Sequence, residues 1–314
     1  MRYRELRALY ERPLIDLILH AAEVHRNHWP GRKVQLCTLL SIKTGGCPED
    51  CGYCSQSVRY RTPSPEEPLL DPEEVLRNAR KAKAAGATRF CMGAAWRSPR
   101  NEEEFSQVLE MVRRVRSLGI EACVTLGMLN RDQALRLKEA GLTSYNHNLD
   151  TSPEFYEKVV RTHRFEDRIA TLEILGDLGI RICSGGIFGL GETPEDRLRL
   201  IEVLSELEHP PESVPLNKLV PIPGTPMEGR PGVDVFELVR MVAVTRCALP
   251  EARVRLSAGR EGLSEEAQAL CFLAGANSIF YGEKLLTTGG RSPEEDRALL
   301  ERLGLECEEG SWKR

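Results

Sequence analysis

The sequence predicts an α/β protein folded as a closed (β/α)8 barrel of the TIM type with an N-terminal helical extension. Two observations carry this. Eight strand-like apolar runs alternate with eight helix-like runs, the pattern of a parallel sheet whose crossovers are helices. Glycines at 86, 119, 141 and 179 follow helix-like runs, where a left-handed C-cap favours them. Eight such units over about 270 residues suit barrel closure, with an open doubly wound sheet as the alternative. No low-complexity linker interrupts the 314 residues. One domain over 1–314 is expected, with 1–33 as the extension and 306–314 as a short tail.

The elements follow in order. The first ~30 residues read as helical, with Leu14, Ile15, Leu17, Ile18 and Leu19 on an apolar face. His20, His25 and His28 come next, and no cysteine or carboxylate pattern frames them as metal ligands. Strands are expected at 34–42, 88–94, 120–126, 144–149, 180–187, 214–220, 254–257 and 278–281. The stretch 62–72, rich in Pro and Glu, reads as a loop. A helix starts at Asp71, with Asp as cap and Pro72 at the first helical position. Further helices are expected near 102–118, 131–140, 165–178, 194–208, 235–249, 265–273 and 293–303.

Hydrophobic residues make up 41% and charged residues 29%, a composition for a packed core rather than disorder. The net charge of −4 argues against an electrostatic grip on nucleic acid or anionic lipid. No apolar run approaches the ~18 residues of a membrane span. The charged start, Met1-Arg2-Tyr3-Arg4, lacks the apolar block of a secretory signal. A cytoplasmic location is therefore expected. Ten cysteines are too sparse for a disulfide scaffold, and in a reducing compartment clustered ones point to metal or catalysis.

The informative cluster is Thr44-Gly45-Gly46-Cys47-Pro48-Glu49-Asp50-Cys51-Gly52-Tyr53-Cys54. It follows the first strand, where barrel loops reach the catalytic face. Three thiolates within eight residues can hold three corners of an iron–sulfur cube, and Gly45, Gly46 and Gly52 let the chain turn around it. The fourth iron then keeps an open position, as substrate chemistry requires. Structural zinc would want a fourth close ligand, and Cys37, ten residues upstream within a strand, reads as a small buried hydrophobe. A plain electron-transfer cluster is the remaining alternative. The Cys-x3-Cys-x2-Cys loop resembles the signature of the radical S-adenosylmethionine (SAM) superfamily. That resemblance implies a [4Fe–4S] cluster on Cys47, Cys51 and Cys54. It implies that SAM chelates the open iron and is cleaved to a hydrogen-abstracting 5′-deoxyadenosyl radical. It also implies that Tyr53 packs on adenine.

Cys91, Cys123 and Cys183 fall in the second, third and fifth expected strands, and Arg255 in the seventh. Alternation lets each point into the barrel, and a buried cation needs a partner. From the residues alone, inert core thiols and a second ligand set remain open. The longer segments 88–96, 145–153, 183–186, 254–260 and 274–282 resemble the biotin synthase family, with similarity running from about Leu14 to Leu305. The resemblance implies that Cys91, Cys123, Cys183 and Arg255 hold a [2Fe–2S] cluster.

On the fourth strand Asn146, Asn148 and Asp150 share one face, a hydrogen-bonding wall for a cavity, and His147 faces the helices. By resemblance Asn148 and Asp150 contact SAM, Asn148 also reaches the substrate, and Asn217 binds the substrate's ureido ring. The same resemblance implies that Arg168 pairs with the SAM carboxylate and that Thr287 and Thr288 receive the substrate's carboxylate tail. The glycine-rich 185–192 lacks the register of a dinucleotide loop; by resemblance it packs on adenine around Ile187. The implied substrate is dethiobiotin, the product biotin, and the sulfur source the [2Fe–2S] cluster. A flavodoxin- or ferredoxin-type electron donor and a homodimer are implied as well. Methylornithine-type and hydrogenase-maturation relatives are the rivals, set apart by the full set Cys91, Cys123, Cys183 and Arg255. A lipoyl synthase would carry a second clustered three-cysteine motif that this chain lacks.

Overall fold

The computed structural model describes residues 1–282, 286–287 and 289–309. Two helices open the chain, α1 (Tyr3–Tyr10) and α2 (Leu14–His28), separated at Pro13, which caps α2. β1 (Lys33–Lys43), α3 (Pro72–Ala84), β2 (Arg89–Ala94), α4 (Glu102–Ser117), β3 (Glu121–Thr125), α5 (Arg131–Glu139) and β4 (Ser144–Asn146) follow. Then come α6 (Pro153–Tyr156), α7 (Phe165–Asp177), β5 (Arg181–Cys183), β6 (Gly186–Phe188), α8 (Pro194–Glu206) and β7 (Ser213–Lys218). α9 (Val235–Ala248), β8 (Arg253–Leu256), α10 (Glu265–Leu273), β9 (Ser278–Phe280), α11 (Pro293–Arg302) and β10 (Glu306–Cys307) complete the order.

All the strand pairings are parallel, and β9 returns to β1 through Gln35↔Ser278, Leu36↔Ile279 and Cys37↔Phe280. This closes an eight-position barrel, as the alternation predicts. Each helix-like run is a helix within two residues of its expected bounds, because caps such as Asp71, Asn101, Thr193 and Ser292 satisfy the first free N–H groups. The extension is anchored on the barrel's outer helices: α1 packs on α8 and α9, and α2 on α9. The Trp29 indole donates to Pro250 O at 3.0 Å.

Three details depart from the expected elements. The fourth strand ends at Asn146, three residues short of its expected end, and Asp150 beyond it takes a left-handed φ of 67° that no strand accommodates. The fifth strand is split into β5 and β6 around Ser184-Gly185; a Cβ on Gly185 would lie 2.0 Å from Pro215 O. The tail is not featureless: Glu306 and Cys307 pair with Lys33 and Val34 on β1. Glu308 then reaches Arg253 at 2.8 Å.

Strand alternation sorts two cores. Phe90, Met92, Ala122, Val124, Val254 and Leu256 are buried apolar residues facing the helix layer. Their neighbours face inward, and there the barrel is polar. Gln35, Arg89, Glu121, Arg181 and Arg253 form a lower layer. Two residues further along the same strands, Cys37, Cys91, Cys123, Cys183 and Arg255 form the layer above.

Candidate active site

A cavity of about 330 Å³ opens at the C-terminal ends of the strands. Cys47, Cys51 and Cys54 line its rim, and Cys91 and Arg255 line its depth. The cysteine loop leaves β1 through Gly45 (φ 69°) and Gly46 (φ 74°). A Cβ on Gly45 would sit 2.6 Å from Pro65 O, so only glycine fits the turn. The loop is pinned at both ends. Cys47 N donates to Gln56 O at 3.0 Å, and Gly52 N to Val159 O at 2.9 Å.

Burial pushes the Cys51 thiol well up, and neighbouring thiols and Asp150 add to this against the Arg168 charge. Burial likewise pushes Cys54 up to about 11. Such thiols hold their protons unless a metal displaces them. Among the described residues, no three His, Cys, Asp or Glu side chains are arranged to hold one metal ion. The donor chemistry of three soft sulfurs on a glycine-turned loop is that of an iron–sulfur cluster.

The deeper thiols sit on neighbouring strands. Cys91 and Cys123 are direct register partners. The Cys91 thiol donates to Cys123, which pushes Cys91 up and Cys123 down, with Arg89 and Arg255 favouring the Cys123 thiolate. Arg255 NH1 donates to Cys183 Sγ at 3.3 Å. Its Nε donates to Ser278 Oγ at 2.9 Å and its NH2 to Gln35 Oε1 at 3.2 Å. Burial alone would lower the Arg255 pKa, but the surrounding thiols hold it raised. Cys37, expected as a plain core residue, belongs to this polar group: its Sγ donates to Gln35 Oε1 at 3.3 Å and lies 3.6 Å from Ser278 Oγ. The two-residue offset from Gln35 is the signal that would have placed it inside.

The polar wall survives although its strand is shorter than expected. Asn146 Nδ2 donates to Asn148 Oδ1 at 3.3 Å and to Cys183 Sγ at 3.3 Å. Gly185 N also donates to Asn148 Oδ1, at 3.2 Å. Asp150 Oδ2 accepts from Tyr53 OH at 2.8 Å and pairs with Arg168 NH2 at 3.1 Å. Arg168 therefore lies inside the site and not on a solvated helix face. His147 lines the cavity too; burial, then Arg168 and His163, drives its pKa well below the usual range. Asn217 is braced at both ends of its amide, donating to Gly186 O at 2.9 Å and accepting from Ala258 N at 3.2 Å. Ile187 lines the wall beside it. Thr287 Oγ1 accepts from Ser55 Oγ at 3.0 Å, and Thr288 lies outside the described residues.

Sequence reasoning missed Glu49, His163 and Arg97, which also line the cavity. Glu49 Oε1 accepts from Arg97 NH1 at 2.8 Å, and Oε2 from His163 Nδ1 at 2.5 Å. Burial would raise this carboxyl, but the hydrogen bonds of His163 and Thr162 outweigh it and hold it at about 2. No motif marks these residues, because their partners are more than forty positions apart.

A barrel with three loop thiols at its catalytic mouth defines a class, the radical SAM superfamily, whose family model matches residues 41–204. The model for the Biotin and Thiamin Synthesis associated domain matches 215–306. A biotin synthase of Acidithiobacillus ferrooxidans (strain ATCC 53993 / BNL-5-31) is 59% identical over 297 residues, covering 95% of this chain and 94% of that one. One from Xanthomonas euvesicatoria pv. vesicatoria (strain 85-10) is 56% identical over 302 residues, covering 96% and 88%. The chain belongs to the biotin synthase family. In fold it is similar to methylornithine synthase, with a TM-score of 0.83 at 20% identity over 98% of this chain and 94% of that one. The FeFe-hydrogenase maturase of Carboxydothermus hydrogenoformans gives 0.83 at 19% over 99% and 77%. No helix among the described residues is long and apolar enough to cross a membrane.

Proposed function

We propose that this chain inserts sulfur into dethiobiotin to make biotin, using SAM, a [4Fe–4S] cluster and a [2Fe–2S] cluster. The carrying observation is that two thiol sets face one cavity, Cys47, Cys51 and Cys54 at its mouth and Cys91 with Arg255 in its depth. Cys123 and Cys183 adjoin the deeper set through Cys91 and Arg255. The residues fit both groups: Cys47, Cys51 and Cys54 would hold the larger cluster, and Cys91, Cys123, Cys183 and Arg255 the smaller. Bound there, the larger cluster with SAM supplies radical initiation and the smaller supplies sulfur.

The chain's own side chains do the positioning. Asp150 and Arg168 stand beside the mouth as an acceptor and a donor for SAM, with Tyr53 and Ile187 as adenine-facing walls. Asn148, whose Oδ1 accepts from Asn146 and Gly185, lines the cavity and would contact both SAM and substrate. Asn217 and the pair Thr287 and Thr288 receive the two polar ends of dethiobiotin. The enclosing barrel limits access of water and oxygen to the deeper thiols. A flavodoxin- or ferredoxin-type donor supplies the electron, the protein acts in the cytoplasm as one barrel domain, and it assembles as a homodimer.

The test is anaerobic reconstitution with iron and sulfide, followed by incubation with SAM, reductant and dethiobiotin. Formation of 5′-deoxyadenosine that depends on dethiobiotin, together with biotin, is expected. Release of 5′-deoxyadenosine independent of dethiobiotin would overturn the substrate assignment.

A further inference from the structure

Glu49 lies midway between Cys47 and Cys51, and its bonds lead away from the loop and back to it. Its Oε2 accepts from His163 Nδ1 at 2.5 Å. With the proton on Nδ1, Nε2 must accept, and Tyr156 OH donates to it at 2.8 Å. The same hydroxyl oxygen accepts from Arg168 Nε at 2.5 Å. Arg168 NH2 reaches Asp150 Oδ2 at 3.1 Å, and that oxygen accepts from Tyr53 OH at 2.8 Å. One set of proton positions satisfies each of these links. The ring leaves the cysteine loop at residue 49 and re-enters it at residue 53, bracketing Cys51. Glu49, Tyr156, His163 and Asp150 are buried, where hydrogen bonds are strong and broken ones costly.

The segment that carries His163 is fastened to the loop independently. Gly52 N donates to Val159 O at 2.9 Å, and Asp50 Oδ1 accepts from Arg161 N at 2.9 Å and Thr162 N at 3.0 Å. His163 is therefore the joint between the cysteine loop and the side chains proposed to face SAM.

We propose that His163 is a positioning residue: through Glu49 on one side, and on the other through Tyr156 and its own Nε2, which Arg168 Nε approaches at 3.2 Å, it sets Arg168 and Asp150 relative to the thiols that would hold the larger cluster. This rests on the radical SAM reading of the mouth of the cavity, and it adds a residue that lines that cavity and acts by holding other side chains in place. With His163 in place, Arg168 is held by Tyr156, by Asn148 O at 2.6 Å and by Asp150 Oδ2 at 3.1 Å, and it lines the cavity. Without it, the Tyr156 hydroxyl loses its acceptor and Glu49 keeps Arg97 and Thr162 alone.

The experiment measures SAM binding to the anaerobically reconstituted protein by equilibrium dialysis, alongside iron content and thermal midpoint. His163→Ala is expected to raise the Kd for SAM about 10–100-fold, as loss of an outer-shell partner does, with iron content retained and a thermal midpoint lowered but well above the assay temperature. His163→Gln, whose amide can accept from Tyr156, recovers most of that affinity, and Tyr156→Phe, which leaves the direct His163–Arg168 contact, reproduces part of the loss without touching the histidine. Unchanged SAM affinity in His163→Ala overturns the proposal. So does a loss that follows iron content or unfolding equally in all three variants. The ratio of 5′-deoxyadenosine released to biotin formed is expected to rise in His163→Ala. A protein that binds SAM in this pattern yet makes no biotin would sink the substrate assignment and leave the positioning role standing.

Discussion

Cysteine 91 and its three partners carry the chemical identity of the deeper site. Each is a single side chain on a separate strand, brought into one layer by register: Cys91 faces Cys123 across β2 and β3, and Cys183 faces Asn146 across β4 and β5. A thiol in such a place is ordinarily inert core. What changes its character is the guanidinium of Arg255 on Cys183 Sγ and the thiol-to-thiol bond of the Cys91–Cys123 pair. On the proposed ligand set, Cys91→Ala removes one ligand of the smaller cluster and leaves the mouth of the cavity untouched. Iron per reconstituted chain should fall from about six to about four, with the visible absorption of the smaller cluster lost. Iron analysis and absorption spectra check this, and an unchanged spectrum would contradict the ligand assignment. The loop thiols were legible in the sequence because their spacing is local. The deeper set was legible only through resemblance, since no pattern within a strand tells an inward thiol from a buried one. Glu49 and His163 were not legible at all, as their bond spans 114 positions.

Elements were easier to read than residues. Helix periods, caps and glycine stops recur along this chain, and each acts within a few residues. The fourth and fifth strands were overextended because 144–149 and 180–187 alternate well enough to read as strands. The fifth strand breaks where Pro215 closely approaches Gly185, a tertiary fact, and beyond the shortened fourth strand Asp150 turns left-handed. Helix α2 shows how an element can carry a pH response. His25 lies on the face of α2 turned toward the barrel; burial, then the nearby Arg246 charge, lowers its pKa to about 4. A group depressed in the folded state and ordinary in the unfolded one contributes stability above the unfolded value near 6.5. That contribution is lost as pH falls from there through about 4. His25→Gln should therefore flatten the decline in thermal midpoint between these limits. Thermal melts across that range check it, and parallel curves for both proteins would refute it.

Viewed whole, the barrel interior is a stack of polar layers, where most barrels of this type are filled by branched apolar residues. The floor couples Arg89, Arg181 and Arg253 to Glu121, Glu212 and Glu308. Arg89 Nε meets Glu121 at 2.6 Å and its NH2 meets Glu212 at 2.8 Å. Arg181 reaches Glu121 at 2.9 Å and Arg253 reaches Glu308 at 2.8 Å. The last link comes from the C-terminal segment, so the floor is completed only when the chain's last described strand is in place. Directly above stand the thiols. The Arg89 charge favours the Cys123 thiolate, while Glu212 and Glu121 hold Arg89 charged against burial. The floor thus supplies both closure and a positive field under the thiols proposed to hold the smaller cluster. Removing one member should expose the other. Arg89→Ala leaves Glu121 and Glu212 short of a partner in a dry interior, and stability should fall by about 3–5 kcal/mol, as for other broken buried pairs. Arg89→Met fills more of the volume without restoring the charge, so it should recover packing but not the electrostatic part. Urea unfolding of the reduced apoprotein measures the loss, and a fall below about 1 kcal/mol, the scale of a surface pair, would show that the floor is not a structural unit. In the reconstituted protein both variants should lose the smaller cluster to chelator faster than the larger one. Equal rates for the two clusters would separate the floor from the thiols above it.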